Sequence, residues 1–535
     1  MGPRLKPKYL ADVPTYRSKS LLLALSTAAA ISPLIVPGAQ AAPVRQAASA
    51  PQDASARQAA PTPQDALAWT PCPRPDLGGP ATQECATLTV PVDHAVPAGP
   101  QLSLAVSRVR SEDPAKRRGA LLVLAGGPGG SGVQRLTQRG TKLQARLGDA
   151  YDLVALDPRG TGGSTRATCR LPSADRHLTA LRSWPAPGGN IDANIERSRR
   201  TAALCAENGG PVLRSLSTAN QVRDMDLFRR ALGERKLSAW GTSYGAYAAA
   251  VYAQKYPQHT DRWVLDSVAD PDPAHLARTW MRNTGQAVED AFPAFAAWAA
   301  DPARETDGLA PRLAQHPALV RPLVLALAAR LDRAPKESTT PGTRLTGNHL
   351  RQALQNALYG QANHPALARL IAAASSTDPE VRPVLTPDIA GPVPDADAAT
   401  TIGVICNDVR WPEGRGTVAA HRRAVLADRA RYPLTAGFPA NITPCSFWKW
   451  APADEPARIT SSGPSNILVV QNRRDPSTPY FGALKMREAL GDRARLVSVN
   501  TTGHGSYLGT GNACGDARVT AFLTGGVRPG SDVSC

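Results

Sequence analysis

A short apolar run at residues 236–240, Lys-Leu-Ser-Ala-Trp, passes with no linker into Gly241-Thr242-Ser243-Tyr244-Gly245. An Ala- and Tyr-rich stretch follows at once and reads as a helix to about residue 256. A strand that becomes a helix across so few residues is the βα half of a parallel crossover unit, so this passage commits the chain to an α/β layer architecture. The same residues carry chemistry. G-x-S-x-G fits a nucleophile elbow, a strained strand-to-helix turn that lifts a serine hydroxyl above the sheet. Glycines flank the serine because a side chain there would collide with the neighbouring strand or helix. Five letters can match by accident in a chain with 44 glycines, but this match lies between the strand and helix the elbow requires, and no other stretch fits.

Further strands read as short apolar runs ending in loops. Residues 119–124 lead into Ala125-Gly126-Gly127-Pro128-Gly129-Gly130-Ser131-Gly132, residues 152–156 into Asp157-Pro158-Arg159-Gly160, and residues 262–266 complete the early set. From about 271 to 464 the sequence is Ala, Leu and Arg at helical spacing broken by prolines, and strands are hard to find. Strand signals return at 466–470 and 494–499. The expected organisation is one mostly parallel sheet in two parts, 69–270 and 465–535, interrupted by a helical insertion at 271–464.

A serine hydroxyl is a weak nucleophile near neutral pH and needs a base, itself oriented by a carboxylate. In this architecture the partners follow in the order Ser, Asp, His, on loops at the C-terminal ends of strands. Asp475, in Arg474-Asp475-Pro476-Ser477-Thr478-Pro479, follows the first late strand, and His504, in Gly503-His504-Gly505, follows the second. Of the nine histidines only His504 holds such a position. Ser243, Asp475 and His504 are therefore the candidate catalytic residues. The glycine-rich loop after residue 124 is the candidate oxyanion hole, with the N–H of Gly127 (Gly126 next) complementing that of Tyr244. A phosphate loop is the rival reading of any glycine run, but the Gly-Lys-Ser/Thr ending is absent and Pro128 removes a donor.

The first residues bear on location. Arg4, Lys6, Lys8, Arg17 and Lys19 precede an apolar stretch from about 21 to 36 and the small-x-small signature Ala39-Gln40-Ala41, the pattern of a secretory signal peptide over 1–41. Residues 42–68 are mainly Ala, Gln, Pro and Ser, a composition with too little apolar surface to order itself, and read as a flexible leader or propeptide. Export makes the eight cysteines informative, since disulfides persist outside the reducing cytosol. Eight cysteines allow about 105 pairings, among which sequence does not choose; the sequential set is the expectation taken forward: Cys72–Cys85, Cys169–Cys205, Cys406–Cys445 and Cys514–Cys535. No paired C-x-x-C spacing suggests zinc, and no metal or organic cofactor is expected. The formal charge of +17 is scattered arginine rather than a clustered stripe, which argues against nucleic acid as a partner. No membrane association is expected once the signal is removed.

Together Gly126-Gly-Pro-Gly-Gly-Ser-Gly132, Asp157-Pro-Arg-Gly-Thr-Gly-Gly-Ser164, Gly241-Thr-Ser-Tyr-Gly245, Asp475-Pro-Ser-Thr-Pro479 and Gly503-His-Gly505 resemble the secreted bacterial tripeptidyl aminopeptidases, relatives of proline iminopeptidase among the α/β-hydrolases. One departure is Ala125, where proline iminopeptidases usually carry His. The resemblance implies an α/β-hydrolase fold with the insertion as a cap, and a secreted serine exopeptidase acting on peptides with a free N-terminus; a monomer is expected, although the sequence does not reveal the oligomeric state. Such an enzyme needs a carboxylate to pair with the substrate ammonium at a fixed distance from Ser243. The segment Ile405-Cys406-Asn407-Asp408 looks like the place where related enzymes keep it, which makes Asp408 the candidate, with Glu289 as the fallback. Arg159 is expected to tie loops together rather than touch substrate. The alternatives are a secreted carboxylesterase or lipase using the same triad, and a non-catalytic binding protein on a hydrolase scaffold. A dehalogenase or epoxide hydrolase is disfavoured because Ser, not Asp, occupies the elbow.

Overall fold

Residues Ala120–Leu124 are all apolar and all buried, as a central parallel strand covered on both faces must be. The computed structural model describes residues 67–73, 79–272, 276–411 and 415–535. The signal-peptide segment and most of the leader lie outside them. The strands in chain order are β1 (Thr70–Pro71), β2 (Glu84–Pro91), β3 (Gln101–Val109), β4 (Ala120–Leu124), β5 (Asp152–Leu156), β6 (Leu237–Thr242) and β7 (Thr260–Asp266). A small hairpin, β8 (Lys336–Glu337) with β9 (Arg344–Leu345), lies in the insertion, and β10 (Ile467–Arg474), β11 (Ala494–Thr502) and β12 (Val533–Ser534) complete the set.

Ten strands form one sheet in the order β1-β2-β3-β5-β4-β6-β7-β10-β11-β12. β1, β2 and β3 pair antiparallel at one edge and β3 pairs antiparallel with β5, whereas every pairing from β5 across to β12 is parallel. Alternate residues face opposite sides. Leu122, Leu124, Val154, Leu156 and Trp263 pack on one face with the helix Tyr244–Lys255, and Leu121, Val123, Leu153, Trp240 and Val264 pack on the other with the helices Gly132–Leu147 and Ala513–Gly525. This is an α/β-hydrolase fold. The antiparallel edge was not legible as strands, because β2 and β3 alternate buried apolar with exposed positions and never form a continuous apolar run.

Between β7 and β10 the chain is helical, with Leu276–Ala300, Pro317–Arg333, Gly347–Ala357, His364–Ser375, Asp395–Asp408 and Arg415–Arg431 as its main helices. The segment between β5 and β6, assigned from sequence to the sheet domain, packs on this cap. Trp184 stacks on Phe438 with ring centroids 4.7 Å apart. Asp395 accepts from the N–H groups of Cys169, Arg170 and Leu171, and Asn407 donates to the carbonyls of Leu213 and Leu216. The four disulfides are Cys72–Cys85, Cys169–Cys205, Cys406–Cys445 and Cys514–Cys535, the sequential pairing expected. Among the described residues no helix is long and apolar enough to cross a membrane.

Candidate active site

β6 ends at Thr242 and the next helix begins at Tyr244, so Ser243 alone makes the turn, at φ 61° and ψ −126°. A non-glycine residue is strained there, and strain of this kind persists only where surrounding structure over-determines it. The flanking glycines show what does so. A Cβ on Gly241 would lie 2.4 Å from the Gly245 carbonyl oxygen, and one on Gly245 would lie 2.5 Å from that of Ala125. The elbow and the loop after β4 are thus in backbone contact. A Cβ on Gly126 would come within 2.8 Å of Ser243 Cβ and 3.3 Å of its Oγ, so the loop backbone lies against the serine side chain.

Tyr244 opens its helix, where N–H groups lack intrahelical acceptors and the helix dipole favours negative charge. The N–H groups of Ala246 and Tyr247 turn back to the Ser243 carbonyl. The Tyr244 phenol points the other way, to Thr218 Oγ1 at 2.7 Å and Gln221 Oε1 at 3.1 Å, and burial raises its pKa well above the ordinary value. Gly127, at φ 121°, lines the same cavity as Ser243. The loop's far end is tied down by Asp157, which accepts from Ser131 Oγ at 2.6 Å, the N–H of Val133 at 3.0 Å and the N–H of Gly163 at 2.9 Å.

Asp475 lies just past β10 and His504 just past β11. His504 Nδ1 is 2.9 Å from each carboxylate oxygen of Asp475. That carboxylate is 1% exposed and held by the N–H groups of Ser477 and Thr478 (2.9 Å each) and by Thr478 Oγ1 at 3.1 Å. Ser243 and His504 share the wall of one cavity of about 700 Å³, with no hydrogen bond between them. A hydroxyl, an imidazole oriented by a buried carboxylate and the Gly126–Gly127 backbone on one cavity, with a helix starting directly after the serine, are the parts a nucleophilic acyl transfer uses.

Three residues that sequence reasoning missed hold the His504 loop. Asp266, at the end of β7, is fully buried and accepts from the N–H groups of Ser506 (2.7 Å) and Tyr507 (3.0 Å) and from Trp240 Nε1 at 3.1 Å. Its burial raises the carboxyl pKa despite these donors. Ser267 accepts from the N–H of Gly505 at 2.9 Å. Tyr359, from the cap, accepts the His504 N–H on its carbonyl at 2.9 Å and packs its ring edge-on to the imidazole, centroids 5.0 Å apart. The strand-end position of Asp266 was a signal that could have found it. Nothing in the sequence signals Tyr359. Arg159 behaves as expected, buried and bonded to Asp224 through two contacts of 2.7 Å.

Asp408 does not reach the cavity. It ends the helix Asp395–Asp408 and accepts the Thr218 N–H at 2.7 Å and the Thr218 hydroxyl, and burial pushes its carboxyl up to about 6. That corrects the expectation of a substrate contact: the carboxylate is spent on the start of a neighbouring helix. Glu289 is likewise engaged, with Arg321 and the N–H of Leu434. Among the described residues the carboxylate that lines the cavity is Asp397, three turns earlier on the same helix and ion-paired with Arg166. Among the described residues no cluster of His, Cys, Asp and Glu is arranged to hold a metal ion.

Known proteins resemble this chain over most of its length. The family described as TAP-like protein matches residues 433–535. A tripeptidyl aminopeptidase of Streptomyces lividans is 30% identical over 468 residues, covering 85% of this chain and 84% of that protein. Serine protease Hip1 of Mycobacterium tuberculosis is 28% identical over 472 residues, covering 86% and 89%. Carboxylesterase B of Mycobacterium tuberculosis is 30% identical over 476 residues, covering 85% and 86%.

Proposed function

The chain belongs to the tripeptidyl aminopeptidase-like family of α/β-hydrolases and is a serine hydrolase of peptidase type, and from that premise we propose that it is a secreted exopeptidase that releases tripeptides from free N-termini. The observation that carries the reading is the His504–Asp475 pair, held at 2.9 Å on the cavity that Ser243 also lines. Four disulfides support an oxidising, extracellular setting.

In this mechanism Ser243 Oγ attacks the scissile carbonyl while His504 Nε2 takes its proton, through a hydrogen bond that tightens in the substrate complex. Asp475 fixes the ring with its proton on Nδ1 and stabilises the imidazolium. The N–H groups of Tyr244 and Gly127 receive the oxyanion. His504 then gives its proton to the departing amine, and water, activated by the same base, releases the acyl group. Asp397 takes the substrate ammonium, being the cavity's carboxylate among the described residues. Charge pairing there fixes how much chain fits between the amine and Ser243, and so the length released.

The test uses fluorogenic amides of one, two and three residues, each with a free and an acetylated N-terminus. The free tripeptidyl amide should be cleaved fastest, Ser243→Ala should abolish turnover, and Asp397→Asn should raise KM for free more than for acetylated substrates. Equal cleavage of blocked substrates, or turnover of simple esters alone, would overturn the exopeptidase reading. It would favour the esterase alternative that the likeness to carboxylesterase B keeps in view.

A further inference from the structure

Among the buried arginines, Arg493 is held by Gln254 Oε1 and the carbonyls of Ala253 and Thr460, whereas Arg159, Arg229 and Arg351 are matched by the carboxylates of Asp224, Asp226 and Asp332. Three arginines on the cavity of Ser243 have no carboxylate partner among the described residues: Arg182, which donates to Gln355 Oε1 at 2.6 Å, and the adjacent pair Arg135 and Arg139. Arg135 and Arg139 stand one turn apart on the helix Gly132–Leu147, so their side chains are neighbours, and both line that cavity. Arg135 donates through Nη2 to Thr242 Oγ1 at 3.2 Å and lies over the Trp240 ring, 5.1 Å from its centroid, while its Nε is buried with no hydrogen-bond partner. Arg139 donates to the Leu508 carbonyl at 2.9 Å. Neither guanidinium has a carboxylate within ion-pairing distance among the described residues. Burial and the neighbouring Arg139 lower the Arg135 pKa to about 10, so it remains a cation near neutral pH. Two adjacent cations with no carboxylate in ion-pairing distance, Asp266 acting on Arg135 only from farther off, and one of them with an unused buried donor, are complementary to an anion.

Their position says which part of the substrate carries that anion. Arg135 is bonded to the residue before Ser243, and Arg139 to the loop that follows His504. In acyl transfer the histidine hands its proton to the departing amine, so the leaving half of the peptide lies on the histidine side. We propose that Arg135 and Arg139 form a carboxylate subsite for the leaving half of the substrate, selecting short peptides whose C-terminal carboxylate lies close past the scissile bond. The subsite rests on the exopeptidase reading and deepens it. Asp397 takes the amine end, the arginine pair takes the acid end, and the preferred substrates are oligopeptides rather than intact proteins.

The experiment compares tetra-alanine with its C-terminal amide, and with an Ala-Ala-Ala-Asp amide that moves the carboxylate to a side chain, each scored by release of Ala-Ala-Ala from the purified protein. The free acid should exceed the amide in kcat/KM by roughly tenfold, the scale of one charge-assisted contact. That ratio should fall toward one in Arg139→Gln and Arg135→Gln and partly return in Arg139→Lys. Because the ratio is taken within each variant, a general loss of activity leaves it interpretable. A ratio near one in the parent, or one that survives both Gln variants, overturns the subsite. So does a faster Ala-Ala-Ala-Asp amide with no advantage for the free acid, which would make a side chain the anion read. A tripeptidyl fluorogenic amide separates the two failures. If it is not cleaved, the peptidase reading falls and the subsite with it. If it is cleaved while the acid-to-amide ratio is near one, the subsite alone falls.

Discussion

Asp408→Asn separates the role read from sequence from the role found in the fold. The asparagine keeps an acceptor for the Thr218 N–H but cannot ionise. In the folded protein burial holds the Asp408 carboxyl at about 6, against an ordinary value of 3.8. The folded state therefore binds this proton more tightly than the unfolded chain. The stabilisation is complete below the ordinary carboxylate pKa and is lost as pH rises through the folded value. At about 1.4 kcal/mol per unit the whole effect is about 3 kcal/mol, an upper bound because the residue keeps partial exposure. Between about pH 5 and about pH 7.5 the parent should lose about 1.4 kcal/mol at this site, and the asparagine variant nothing. Urea unfolding of both proteins at those two pH values, disulfides intact and followed by tryptophan fluorescence, reads the difference directly, since contributions from other groups cancel. The variant should gain on the parent by that amount as pH rises, with KM for free and acetylated substrates changed alike. Parallel pH dependence of the two proteins would refute the reasoning. A tenfold rise in KM confined to free-amine substrates would restore Asp408 as the ammonium contact.

Two further outcomes follow from the geometry. Asp475→Asn keeps an acceptor for Ser477 and Thr478 but turns an NH2 group toward His504 Nδ1, forcing the ring proton onto Nε2, where it blocks base action. kcat should fall roughly 10³- to 10⁴-fold with the unfolding midpoint little changed, and a loss below tenfold would contradict the assignment. Gly245→Ala forces a Cβ to 2.5 Å from the Ala125 carbonyl oxygen and 2.8 Å from that of Leu124, backbone atoms that cannot swing aside. It should cost about 1–3 kcal/mol in urea unfolding and depress kcat by shifting the 125–130 loop off Ser243, whereas an unchanged midpoint would show that the elbow has slack.

What could be read from sequence was whatever sits at the end of a strand. Ser243, Asp475 and His504 each lie within a few residues of the end of a short apolar run, so those runs plus chain order were enough to nominate them. The carboxylate on the cap failed for a geometric reason. Asp397 and Asp408 lie on the same stripe of one helix, and at about 1.5 Å rise per residue they are roughly 16 Å apart along its axis. Helical spacing gives the face, but where along the axis that face meets the cavity depends on how the cap docks. The Arg135–Arg139 pair was invisible for a similar reason. Two arginines a turn apart read as a solvated face, and only the proximity of Thr242 and Leu508 turns them into cavity wall. β2 and β3 were lost because half-exposed edge strands dilute their apolar residues with polar ones.

The Tyr359 carbonyl that receives the His504 N–H comes from the cap, not from the sheet. The cap is therefore not an interchangeable module. Trimming it, or grafting a different insertion onto this sheet, would remove a bond that holds the His504 loop along with part of the cavity wall. An engineer wishing to widen the specificity would need to redesign around Tyr359 and leave it standing.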